Sequence, residues 1–137
     1  MTGLAERFAA RTRLLDGGHM EWTGPLKGGR STPLMYDRGR DVTARAVAFR
    51  IATGRAPVGY VRAECDHPGC VAPEHMADAP TRTKLRTQLA QVQGRDLSLT
   101  ECGRGHATAV HRQFNPDGHP YCRACEALRE HERQAVA

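Results

Sequence analysis

Cys65, Cys70 and His75 lie in the fourteen-residue block AECDHPGCVAPEHM, a stretch rich in turn-forming Gly and Pro. Thiolate sulfur and imidazole nitrogen are the donors zinc prefers, and a structural zinc site takes four of them in a tetrahedron. Three such donors around one turn look like half of a zinc knuckle. A second set follows in Cys102, His106, Cys122 and Cys125. Cys122-Arg-Ala-Cys125 is a CxxC pair at the start of an expected helix, a common zinc half-site. Cys102-Gly-Arg-Gly-His106 supplies the other half, its two glycines letting the backbone curl around an ion. Fifteen residues separate His106 from Cys122, within the range of zinc ribbons and fingers. His111 and His119 compete as the fourth donor, and only His106 has turn-like spacing from Cys102. The plainer alternative is a group of reduced, unligated cysteines near surface histidines.

Every cysteine falls into one of these sets. There are five, an odd number that no fully paired set of disulfides uses. No apolar run approaches the roughly 18 residues that span a bilayer. The start, MTGLAERFAARTRLL, lacks the uninterrupted apolar core of a signal peptide. A cytoplasmic protein is therefore expected, where thiols stay reduced and paired cysteines serve metals before disulfides. With 137 residues and few aromatics, the chain makes one domain or a domain with a smaller appendix. Metal cross-links are a reasonable supplement to so modest a core.

The elements that must hold these donors are short. Residues 2–15 read as a helix capped by Thr2, with Leu4, Phe8 and Leu15 at helical spacing and Gly17-Gly18 as its stop. A strand is expected around Trp22, a turn at Lys27-Gly28-Gly29, and a second strand at Pro33–Tyr36. DVTARAVAFRIATG reads as a helix with Asp41 or Thr43 as cap, Val47 and Ile51 on one face and Gly54 past its end. Residues 58–76 read as an irregular hairpin turning at Asp66–Gly69. Pro80 suits the first turn of a helix running to about Gln93 and ended by Gly94. A last helix is expected from about Tyr121 onward.

The block CDHPGCVAPEHM resembles the core of the zinc-bearing, phage-type HNH endonucleases, which read roughly V-x-H-x-C-D-x-x-x-C-V-N-P-x-H-L. That family places a G-C-W-x-W-x-G segment and an A-H-R helix upstream. Here Gly18-His19-Met20-Glu21-Trp22-Thr23-Gly24 and Ala48-Phe49-Arg50 stand in those places. The resemblance covers about residues 18–90 and puts His19 where the family has an extra cysteine. It thus implies a first zinc site of His19, Cys65, Cys70 and His75. The C-terminal Cys/His set is similar, more loosely, to a module found in comparable phage proteins.

The same likeness predicts that nuclease chemistry is lost. The general base that activates water falls at Ala63, and the loop asparagine at Ala72. The metal-binding asparagine falls near Lys84, a charge that repels Mg²⁺, and the A-H-R histidine at Phe49. No catalytic residue is therefore assigned, although Glu64 or His67 would be the groups from which a site could be rebuilt.

The net charge is +5 and the pI about 9.3, all twenty basic residues but Lys27 and Lys84 being Arg. Such a balance suits a polyanion, although Arg over Lys with abundant Ala and Gly also follows from a GC-rich genome. Arg62, Arg82, Lys84 and Arg86 gather around the vacated cleft in sequence and are the expected phosphate contacts. Arg82 and Arg86 would equally suit a solvated helix face.

The expected fold is small α+β, a zinc-stabilised ββα-like core with flanking helices in residues 1–94 and a zinc ribbon in 95–137. The expected function is DNA binding by a catalytically degenerate HNH-like protein of phage or mobile-element origin. A zinc-dependent adaptor docking on a polymerase or other nucleic-acid machine is the competing class, and an active nuclease the third.

Overall fold

Glycines and the two ligand blocks cut this chain into short helices and two-stranded hairpins, a mixed α+β fold. The structure is a computed structural model and describes residues 3–29 and 32–136. The chain divides into two compact units, residues 1–82 and 83–137. The sequence placed the division at Gly94; here it falls inside a helix, and each unit is taken by itself.

In the first unit, α1 (Leu4–Ala9) is half as long as its pattern predicts. Thr12–Leu14 forms β1 instead, antiparallel to β2 (Met20–Trp22), with Thr12 opposite Trp22 and Leu14 opposite Met20. Gly17 and Gly18 have φ of 78° and 77°, which only glycine adopts cheaply. They turn a hairpin rather than stop a helix, because residues 12–14 gain a strand partner that helix propensity does not register. The expected cap, Thr2, lies outside the described residues, and Gly3 precedes the first turn.

Beyond it, β3 (Leu34–Asp37) pairs with β4 (Arg40–Thr43). Arg38 and Gly39 join them with φ of 50° and 82°, the two left-handed residues of a tight hairpin. Sequence reading saw the first strand and missed the second, whose Asp41 was a candidate helix cap. Thr43 is the cap of α2 (Ala44–Thr53), its hydroxyl accepting from Ala46 N at 3.2 Å, and Gly54 closes the helix with φ 75°. Val47 is buried as expected. Ile51 is not; the inward face runs through Ala44, Val47 and Ala48.

That face anchors the core. Phe8, Met35, Val47, Phe49, Val71 and Met76 pack into one cluster from α1, β3, α2 and the Cys65–Met76 block. Burying each such side chain contributes about 1.5–3 kcal/mol. The expected irregular hairpin is present as β5 (Arg62–Ala63) antiparallel to β6 (Met76–Ala77).

Asp78, fully buried, then starts α3 (Ala79–Val92). It accepts from Thr81 N and Thr81 Oγ1 at 3.2 and 2.6 Å, from Val58 N at 3.0 Å, and from both Arg55 nitrogens at 2.8 and 3.3 Å. One carboxylate thus caps α3 and ties the segment after α2 to it.

The second unit carries α4 (Thr108–His111), the hairpin β7 (Arg112–Phe114) and β8 (Pro120–Cys122), and α5 (Arg123–Val136). Its buried apolar residues, among those described, are Ala90, Phe114 and Cys125, too little for a self-sufficient core.

The Asp78 network generates a prediction. The Arg55 guanidinium holds the Asp78 carboxyl well below the usual carboxylate range, with Thr81 and Val58 adding hydrogen bonds against the cost of burial. A depressed folded value means its stabilisation is full above the unfolded pKa, about 3.9, and is lost as pH falls towards the folded one. Asp78→Ala strands buried donors at about 1–3 kcal/mol each. Thermal melts are expected to show Tm lower by about 5–15 °C at neutral pH. The gap from wild type is expected to narrow below about pH 4. A gap that is constant with pH would contradict this account.

Candidate metal centres

The first centre is assembled from three places in the chain. His19 leaves the β1–β2 loop, where Leu15 N donates to His19 O at 2.7 Å and so fixes the loop's far end. Cys65 and Cys70 flank the Asp66–Gly69 turn, closed by Cys70 N to His67 O at 3.3 Å, with Gly69 at φ 75°. His75 ends a 3₁₀ turn, Pro73–His75, that Pro73 opens. Two backbone bonds hold these pieces in register, Val71 N to Met20 O at 2.9 Å and Glu64 N to His75 O at 2.8 Å. The donor atoms of His19, Cys65, Cys70 and His75 all lie within 4.8 Å of one another and could hold a metal ion. Cys70 Sγ is 3.5 Å from His75 Nδ1 and receives Ala72 N–H at 3.4 Å.

One atom there has no partner. His19 Nδ1 is buried and makes no hydrogen bond. Buried polar atoms are nearly always satisfied, and a cation bound among the four donors would satisfy this one. The His19 ring meets His75 edge-on at 4.9 Å and stacks on His67 at 4.7 Å. His67 packs beside the ligand set without joining it.

The second centre is assembled from a turn, a hairpin and a helix start. Cys102 and His106 sit on a turn in which Cys102 N donates to His106 O and Gly105 N to Cys102 O, both at 2.9 Å, with Gly105 at φ 83°. The β7–β8 hairpin delivers Cys122, and the first turn of α5 delivers Cys125. His106 Nδ1 lies 3.3, 3.5 and 3.3 Å from the sulfurs of Cys102, Cys122 and Cys125, and Cys102 and Cys125 are 3.6 Å apart. A disulfide needs about 2.05 Å, and all five thiols are free. The competing histidines are settled by position. His119 is taken up by Arg95 at 2.8 Å and Asp117 at 3.7 Å, and His111 approaches His106 only ring to ring at 5.8 Å.

No protein-family model matches this chain, and no curated protein or solved structure matches it either.

Thiols packed this closely do not ionise together without help. Amide N–H groups led by Arg104, then His106, lower Cys102 to about 6 against its burial. Burial, reinforced by the neighbouring Cys102 and Cys122, raises Cys125 to about 11. In the first centre, burial opposes ionisation of Cys70. Bonds from the Met20 and Ala72 backbone and from the His75 and His19 rings outweigh it and lower the thiol to about 6. Burial pushes Cys65 up. Each centre thus makes one thiolate easily and resists the next, the pattern that a bound cation relieves.

Three of the four positions read as vacated catalytic slots are buried or packed against the core. Phe49 fills the core with the Arg55 guanidinium 4.7 Å above its ring, Ala72 is buried, and Ala63 pairs with Met76 in β5–β6. Of the expected phosphate contacts, Arg62 and Lys84 are exposed and Arg86 is half-buried. Arg82 Nη1 donates to Tyr60 O at 2.6 Å and Ala77 O at 2.9 Å. That side chain staples the strand segment to the start of α3, a role sequence spacing could not reveal.

Elemental analysis of the purified chain is expected to find two metal ions, and one in Cys65→Ser or in Cys122→Ser. Cys65→Ser is expected to unfold the first unit and spare the second, because metal binding energy at such sites is folding energy. Circular dichroism and amide exchange report which unit is lost. A metal-free chain that keeps both units folded would refute the assignment.

Proposed function

We propose that this chain is a zinc-stabilised DNA-binding protein built on an HNH-like core without nuclease chemistry. The observation that carries the zinc half is the geometry of the donors. Zn–S bonds of about 2.3 Å and Zn–N bonds of about 2.0–2.1 Å give tetrahedral edges of about 3.5–3.8 Å. Four of the six edges of the second centre are 3.3–3.6 Å. A Cys₃His set and a Cys₂His₂ set, each with four protein donors and no position kept for water, are structural zinc sites rather than catalytic ones.

The HNH likeness is supported by order and placement. Two short strands bracket a Cys/His block and lead directly into a helix, as β5, β6 and α3 do. Within that frame the slot for a general base holds Ala63, and alanine takes no proton. DNA is the partner because a chain of +5 charge, rich in planar guanidinium groups, suits a phosphate backbone. The cytoplasm and a phage or mobile-element origin belong to the same proposal. A second reading, a protein adaptor, is favoured by α5, whose Leu128 and Val136 are 44% and 88% exposed on an otherwise polar helix.

Two assays separate the readings. Zinc-loaded protein is expected to bind duplex DNA with an affinity that falls steeply as salt rises; no binding at low salt would favour the adaptor. Plasmid incubated with the protein and Mg²⁺, Mn²⁺ or Ni²⁺ is expected to remain as intact as in buffer alone, since losing acid–base catalysis costs about 10²–10⁴-fold. Nicking that Glu64→Ala or His67→Ala abolishes would show a rebuilt active site.

A further inference from the structure

Arg45 is the second residue of α2 and one of the few half-buried cations of the first unit. Its Nε is enclosed, yet it has no hydrogen-bond partner, and the side chain forms no ion pair among the described residues. Enclosing a polar N–H without a partner carries a desolvation cost, and the sequence reading did not single this residue out. The reason for its burial lies in what surrounds it. Arg45 and exposed Arg62 both line a groove of about 650 Å³ between the start of α2, the strand β5 and the Pro68-Gly69 turn. A smaller adjoining recess of about 330 Å³ shares both arginines and reaches Ala63, His67 and Asp66. Asp66, exposed, is the acidic group there, and it pairs with neither arginine.

Three features of the groove favour an anion with tetrahedral oxygens. The two guanidinium groups offer fixed planar donors suited to two oxygens of a phosphate. The groove also opens on the first turn of α2, a ten-residue helix whose dipole is positive at that end. Ala44 N and Ala46 N are already used, by Pro33 O and Thr43 Oγ1, which leaves the arginines as the main charged donors. Gly59 and Gly69 line the wall, where backbone approaches without side chains in the way.

We infer that Arg45 and Arg62 clamp a backbone phosphodiester of a nucleic acid strand in this groove. The inference rests on the DNA-binding reading and moves its principal contact from the α3 arginines to the start of α2. Arg82, engaged with two carbonyls, is then a scaffold residue. With Ala63 in the adjoining recess, the groove holds a phosphate beside a position that cannot activate water.

The test uses the zinc-loaded full chain, two duplexes of unrelated sequence, and fluorescence anisotropy between about 50 and 200 mM salt. Arg45→Gln and Arg62→Gln are each expected to weaken binding about tenfold on both duplexes. Each is expected to reduce the salt slope by about one unit, and the double variant by about two. Arg45→Lys, which keeps the charge and loses the planar fork, is expected to retain the slope and lose part of the affinity. Metal content and Tm measured alongside show whether each variant is folded. If Arg45→Gln is not, Arg62→Gln and Arg45→Lys carry the test. Wild type that binds with variants of unchanged slope overturns the groove alone. Loss on one duplex only overturns phosphate clamping in favour of base readout. Wild type that binds neither duplex overturns the groove together with the DNA-binding reading.

Discussion

Four soft donors converge to within 4.8 Å at each of two points, and the rest of this protein is organised around that convergence. Sulfur atoms at 3.6 Å sit at ordinary packing distance while neutral, but as thiolates they repel one another strongly where water is scarce. A divalent cation at the centre reverses the sign of that interaction. An ion bound there would also offer a partner to His19 Nδ1, which is buried and has none among the described residues. In the second unit, where Ala90, Phe114 and Cys125 are the buried apolar residues among those described, an ion held by the Cys/His set would stand in for a core. A turn, a hairpin and a helix start meet there, each supplying donors to one Cys/His set that could hold a metal ion.

The first unit has more to hold it. Its apolar cluster centres on α2, and the Cys65–Met76 block contributes Val71 and Met76 to that cluster. Metal centre and core are therefore joined through the same dozen residues. Cys70 and Val71 are neighbours, and Val71 N is bonded to Met20 O on the strand that follows His19. Loss of the ion would release the knuckle and with it two core side chains. Asp78 extends this coupling past β6 by fastening Arg55, Val58 and Thr81 to one buried carboxylate. Paired as it is, that charge fixes where α3 begins.

Of the four positions at which the HNH likeness expects chemistry, Ala63, Ala72 and Phe49 pack in or against the core, and Lys84 is exposed. Basic side chains have divided between two jobs. Arg7 and Arg82 are spent on internal bonds, to Asp37 and Tyr36 O and to Tyr60 O and Ala77 O. Arg45 and Arg62 face a groove. Spacing along α3 put Arg82 and Arg86 on one face and suggested a shared role; the backbone oxygens nearby gave Arg82 a different one.

The ligand sets were legible in the sequence because zinc-type coordination needs rare residues in pairs on tight turns. Cys65, Cys70, His75, Cys102, His106, Cys122 and Cys125 announce themselves by type and spacing alone. His19 did not, and it entered through a family likeness, since a lone histidine after two glycines has no local signature. Helix α2 with its Thr43 cap and Gly54 stop was also local information, as was α3 ending at Gly94. What only tertiary structure decided were the places where local preference and long-range pairing disagree. Residues 12–14 are strand because Met20–Trp22 lies opposite them, and residues 40–43 are strand because Arg38-Gly39 folds them onto β3. Asp78 as cap, Arg82 as staple and Arg45 as a buried donor are likewise invisible in one dimension. Each depends on an oxygen, a carboxylate or a groove that folding brings near and that sequence distance conceals.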